Sequence, residues 1–189
     1  MLTEIRPALL VLLLLTLLTG IAYPLAVTGI AQVAMPAKAN GSLVITNGKT
    51  VGSSLIGQCW DDPKWFWGRP SATTPACNGA ASSGSNLGPS NPALREAVQK
   101  RIEALQQADP TAKDLVPADL VTTSASGLDP DISPEAAYFQ VHRVALSRGL
   151  GDDAVRKLVE QHVTPRWLGL FGEPHVQVLQ LNLALEQGH

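Results

Sequence analysis

The chain has 189 residues, with 14 Lys and Arg against 16 Asp and Glu, a formal net charge of -2. Near neutrality, with no basic arm or patch, excludes nucleic acid as a natural partner. Two cysteines without further ligands at metal spacing exclude a thiolate-rich zinc site.

The first predicted element is a membrane helix. No charged residue stands between Pro7 and Ala37, and Leu9 to Leu18 is almost unbroken leucine. About 20 helical residues cross a hydrocarbon core of about 30 Å, so this stretch spans with residues to spare. A cleavable leader has an apolar core of roughly 7–15 residues. Ala37-Lys38-Ala39 would suit such a cleavage site, but the run before it is too long, so residues 1–37 are read as an anchor. Thr16, Gly20, Pro24 and Thr28 recur every fourth residue and share one face. Small residues at that spacing let another helix approach closely, which makes Thr16, Gly20 and Pro24 candidate partner contacts. Flanking basic residues stand on both sides (Arg6, then Lys38 and Lys49), so charge does not fix the orientation.

Residues 38–189 are read as one soluble mixed domain. Leu43 to Thr46 and Thr50 to Ile56 flank Asn47-Gly48, a tight-turn dipeptide, and predict a hairpin. Trp60, Trp65, Phe66 and Trp67 form an aromatic cluster, and the Gly-, Ser- and Pro-rich stretch of about 71–91 predicts a long loop. Cys59 and Cys77 are placed either as a disulfide pair or as two separate thiols; residue spacing leaves both readings open.

Three helices follow. Asn91-Pro92 opens the first, with Leu94, Val98, Ile102 and Leu105 on one face. Ser133-Pro134 opens the second, with Ala137, Val141, Val144 and Ala145 inward and Gly149 as its stop. Asp152 caps the third, whose stripe is Val155, Leu158, Val159 and Val163. From Val176 to Leu185, Leu179, Leu181, Leu183 and Leu185 alternate with Gln180, Asn182 and Ala184, which favours a final strand facing a core on one side, with a short helix left open. The fold class is therefore α+β, behind a single N-terminal transmembrane helix.

Catalytic patterns are missing. Gly48-Lys49-Thr50 ends like a phosphate-binding loop, but Leu43 stands where the first glycine belongs. Asp129-Pro130-Asp131 and Asp152-Asp153 lack the further oxygens of a calcium loop. His142, His162, His175 and His189 are scattered, and no serine sits in a nucleophile elbow. Nothing in the residue pattern supports an enzyme or a directly bound cofactor.

Three stretches together do carry a resemblance: Phe66 to Thr73, Ser83 to Leu87, and Thr122 through Pro134. With Tyr23-Pro24-Leu25, Ala39 to Leu43, Gly172-Glu173-Pro174 and Leu181 to Leu185, in the same order along the chain, they resemble the C subunit of the Kdp potassium-transporting ATPase. Cys59 and Cys77 depart from that family pattern. The resemblance implies an accessory subunit of the bacterial inner membrane, with one span and its domain outside the cytoplasm. It implies three partners: a potassium-channel-like subunit, a P-type ATPase subunit and a small membrane peptide. ATP and potassium would be handled by the complex, with this subunit serving assembly or stability, or acting as a catalytic chaperone that raises ATP affinity. Gly68, Arg69, Pro70, Ser71, Ser85, Asn86, Ser124, Ser126 and Asp129 are then the candidate partner-binding residues of the domain. The competing reading of Gly68-Arg69-Pro70 is an internal brace, and that of Ser124 to Asp131 a self-capped turn. A membrane-anchored extracytoplasmic ligand-binding module is the alternative function.

Overall fold

The computed structural model describes residues 2–188, so His189 lies outside the described residues. The chain divides into two compact units, one running through Val51 and the other from Gly52 onward.

The first unit is dominated by apolar helix. Helix α1 (Leu2–Leu17) runs through one π turn, Leu18–Ala22, into α2 (Tyr23–Ala34). Residues Glu4–Ala34 make a 31-residue run long and apolar enough to cross a membrane. Pro24 explains the π turn: it lacks an N–H, and its ring crowds the carbonyl one turn back, at Gly20. The chain yields by letting the Tyr23 N–H donate five residues back to the Leu18 carbonyl. Four residues at 3.6 per turn overshoot a full turn by about 40°, and the wider π turn absorbs part of that drift between Thr16, Gly20 and Pro24. A one-turn helix α3 (Pro36–Ala39) follows, and then strands β1 (Leu43–Thr46) and β2 (Lys49–Ser53) pair around Asn47-Gly48, both at positive φ.

The second unit carries the core. Helix α4 (Pro92–Ala108) is capped by the Asn91 side chain, which accepts from the Ala93 N–H at 3.0 Å. Strand β3 (Asp131–Ile132) leads into α5 (Pro134–Phe139), capped by Ser133, then α6 (Val141–Arg148) and α7 (Asp152–His162). The second predicted helix is thus two, broken at Gln140, and Gly149 ends it at φ 68° as a left-handed stop. The N-cap of α7 is Gly151 and not Asp152, which sits in the first turn where its charge suits the helix dipole.

Strands β4 (Val163–Thr164) and β5 (His175–Gln177) complete a three-stranded antiparallel sheet in the order β3-β5-β4. The predicted final strand is corrected here. Only His175–Gln177 is strand, and Val178–Gln187 is helix α8. Val178, Leu181, Asn182 and Leu185, at helical spacing, are all buried. Helices α5 to α8 and the sheet close over Ile132, Ala137, Val144, Val155, Val159, Val176 and Leu181, with Phe66 inserted from the aromatic segment 60–67.

Candidate functional site

The aromatic segment is seated by polar side chains rather than by strand pairing. Asn182, fully buried, accepts from the Phe66 N–H at 2.9 Å and donates to the Phe66 carbonyl at 3.0 Å. Gln140 does the same for Trp67, accepting from its N–H at 2.7 Å and donating to its carbonyl at 3.1 Å. Arg143 donates to the carbonyls of Pro63 and Trp65 and to Gln140, and its guanidinium lies 4.2 Å from the centre of the Trp67 ring. Burial pushes the Arg143 guanidinium down to about 10, and among the described residues no carboxylate forms an ion pair with it. Arg148 stacks on Trp65 at 4.4 Å. Sequence reading missed Gln140, at the break between α5 and α6, and Arg143 and Asn182, polar residues inside helical faces.

Downstream of this clamp, the motif residues converge. Arg69 pairs with Asp129 at 3.1 Å and donates to the Thr123 carbonyl at 3.3 Å. The Ser71 hydroxyl donates to the Gly127 carbonyl at 2.7 Å and accepts from the Cys77 N–H at 3.0 Å. Ser126 receives the Ser83 N–H on its carbonyl at 2.9 Å, and its hydroxyl contacts Ser124 and accepts from the Leu128 N–H. Thr123 donates to the Ser85 hydroxyl at 3.1 Å. Asn86 is exposed, at φ 52°. Glycine is required where these loops touch. A Cβ on Gly127, at φ +66°, would meet the Ser83 carbonyl oxygen at 2.4 Å, and one on Gly57 would meet the Asp129 oxygen at 2.4 Å. Cys59 and Cys77 are joined, closing the loop that contains Gly68, Arg69, Pro70 and Ser71. Gly68 and Pro70 join Arg69 and Ser71 in lining a cleft of about 470 Å³, with Trp60, Trp67 and Arg101.

The cleft is mainly apolar, lined by Trp60, Trp67, Leu105 and Leu120 with Arg69 and Arg101 among them. Trp60 Nε1 and Arg69 Nε are buried without a hydrogen-bond partner in the described structure. Arg101 donates to the Val121 carbonyl at 2.7 Å, and burial lowers its affinity for the proton. The arrangement suits an apolar surface laid over the Trp60 and Trp67 rings. Thr16, Gly20 and Pro24 belong to the apolar helix and are not among these residues.

Chemistry of other kinds finds no constellation. Among the described residues, no three His, Cys, Asp or Glu side chains stand close enough to hold a metal ion. His142 is instead paired with Asp152 at 2.9 Å, a hydrogen bond that raises its pKa.

Asp131 and Gln177 face each other in register across β3 and β5, and each has a buried carbonyl-type oxygen without a partner. Burial raises the Asp131 carboxyl above its ordinary range. Asp131→Asn supplies a donor toward Gln177 and removes a disfavoured charge, so it is expected to stabilise the domain by about 1 kcal/mol at neutral pH. A carboxyl whose folded pKa is raised binds its proton more readily folded than unfolded. Wild-type stability therefore gains as pH falls through that range, and the advantage of the variant shrinks. Thermal unfolding of both proteins at neutral and mildly acidic pH checks this; a constant difference rules it out.

The class defined by these observations is an α+β domain of loops braced on a helical core, behind one N-terminal apolar helix long enough to span a bilayer. Residues 5–187 match the family described as KdpC, K+-transporting ATPase, c chain, and the chain belongs to that family. It is similar to the potassium-transporting ATPase KdpC subunit of Sorangium cellulosum, 60% identical over 187 residues and 98% of each chain. The like-named subunit of Dechloromonas aromatica is 62% identical over 97% of each. That of Polaromonas naphthalenivorans is 62% identical over 96% of this chain and 93% of its own.

Proposed function

We propose that the chain is a non-catalytic, single-span subunit of an ATP-driven potassium importer, required for assembly or stability of the complex. The observation that carries this reading is the braced platform itself. The family's motif residues, distant in sequence, are knit by hydrogen bonds and an ion pair into one surface around a mainly apolar cleft. A preformed surface around an apolar cleft is what partner docking uses.

In this reading residues 1–37 anchor the chain in the bacterial inner membrane and 38–189 form the extracytoplasmic domain. The Cys59–Cys77 disulfide supports that side, because oxidising compartments maintain such bonds. Thr16, Gly20 and Pro24 face a membrane partner; Gly68, Arg69, Pro70, Ser71, Ser85, Asn86, Ser124, Ser126 and Asp129 shape the docking face. The partners are a potassium-channel-like subunit, a P-type ATPase subunit and a small membrane peptide. ATP and potassium are handled by the complex. A domain outside the membrane does not touch cytoplasmic nucleotide, so a catalytic-chaperone effect on ATP affinity is coupling between distant sites. The same cleft also supports the second reading, a ligand-binding module unrelated to transport.

Purification from native membranes separates the two. The subunit reading expects stable recovery with large multi-span proteins and potassium-stimulated ATPase activity. Recovery of this chain alone, monomeric in detergent, overturns it.

A further inference from the structure

The connection between β4 and β5 is a reverse turn with its apolar side chains outside. Trp167, Leu168, Leu170 and Phe171 are 68%, 72%, 77% and 59% exposed. The turn is nonetheless closed by backbone hydrogen bonds. The Trp167 N–H donates to the Phe171 carbonyl at 2.9 Å, the Phe171 N–H returns to the Trp167 carbonyl at 3.0 Å, and the Leu170 N–H joins the same oxygen at 3.1 Å. The Trp167 and Phe171 rings sit 5.6 Å apart. Below them Arg166 and Glu173 form an ion pair, and beneath that the strands run in register, with Val176 fully buried. Leu168 holds φ 52°, a left-handed conformation that a bulky side chain rarely adopts. A chain that strains a leucine in order to present four large apolar groups to solvent has a use for them.

We infer that the Trp167–Phe171 turn is a docking knob that seats in an apolar pocket, rimmed by polar groups, on another subunit of the same ATPase. The inference rests on the subunit reading above. Protein anchors have this form: a few preorganised aromatic and aliphatic side chains at the centre, a charged but neutral rim around them. A bilayer is the weaker match. Interfacial segments surround their apolar face with free Lys and Arg, whereas Arg166 is spent on Glu173, an acid that is itself 77% exposed. The strand flanks add no lysine between Val163 and Gln177.

The test uses the full-length chain in its native membrane. Leu170→Asp alters an exposed side chain, so the domain is expected to keep its melting temperature, while recovery with the other subunits falls more than about tenfold. Undiminished recovery of the variant overturns the knob and leaves the subunit reading standing. Failure of the wild-type chain to recover any subunit overturns both. A photo-crosslinking residue at position 168 gives a second readout, independent of the variant's folding. An adduct with a multi-span subunit supports the knob. An adduct with lipid or no adduct, or quenching of Trp167 by brominated phospholipid in vesicles holding this chain alone, overturns it.

Discussion

Asn182→Leu is expected to destabilise the domain by about 2–6 kcal/mol, because it leaves two backbone groups of buried Phe66 unpaired at about 1–3 kcal/mol each. The replacement keeps the branched shape, and its methyl groups, bulkier than the atoms they replace at 2.9 and 3.0 Å from the Phe66 backbone, add a packing cost to the loss. Asn182 has no accessible surface, and the groups it serves stand 116 residues away in sequence. Domains of this kind hold only about 5–15 kcal/mol in all, and Phe66 is part of the core cluster. Losing its seat therefore loosens the aromatic segment and everything downstream of it. Chemical denaturation of the full-length protein in detergent checks this: the midpoint falls sharply with little change in slope. Asn182→Asp provides a control. A carboxylate there accepts from the Phe66 N–H but cannot donate to its carbonyl, and only its protonated form can do both. Stability of that variant is expected to recover toward acid pH. A shift below about 0.5 kcal/mol for the leucine variant, as for an ordinary surface change, rules the seat out.

The same residue explains where sequence reading stopped. The α+β class, the apolar helix, the Asn47-Gly48 turn, and the openings of α4 and α5 at Asn91-Pro92 and Ser133-Pro134 are local features, and they were legible. The C-terminal helix was not. Residues 178, 181, 182 and 185 form a helical stripe, but one of its four members is asparagine. With Asn182 counted as polar, the leucines left over alternate, and period two replaces period 3.6. Gln140, at the break between α5 and α6, and Arg143, inside α6, were hidden the same way, as buried polar residues whose partners lie 73 to 80 residues away. The braced platform was legible as residue identities but not as a geometry. Loops 68–86 and 121–131 have no periodicity, and their contacts are glycine-enabled backbone approaches that no spacing rule anticipates. The Trp167–Phe171 knob left no local sign either, since an exposed Trp-Leu-Gly-Leu-Phe turn and a buried one have the same sequence.

Arg69→Ala is expected to abolish most assembly with the other subunits, and with it potassium uptake at limiting potassium, while leaving membrane insertion intact. The structure gives this a physical route. The Arg69 and Asp129 side chains are 26% and 29% exposed, so their pair lies between a surface bridge and a buried one. Removing one partner of such a pair costs about 2 kcal/mol, and the Thr123 carbonyl loses its donor as well. Loop 68–71 is then held to loop 123–129 through Ser71 and Gly127 without the Arg69 brace, and the cleft between Trp60, Trp67 and Arg101 loses one wall. Lysine at position 69 is a single point charge; it reaches Asp129 or Thr123 but not both, so it restores only part of the effect. The double variant Arg69→Ala/Asp129→Asn separates brace from contact. It removes the stranded carboxylate charge, so the domain recovers most of its melting temperature. If Arg69 acts purely as a brace, assembly returns with stability. If the partly exposed guanidinium also meets a partner's acceptor, stability returns and assembly does not. Full uptake by Arg69→Ala with an unchanged melting temperature removes Arg69 from the docking face altogether.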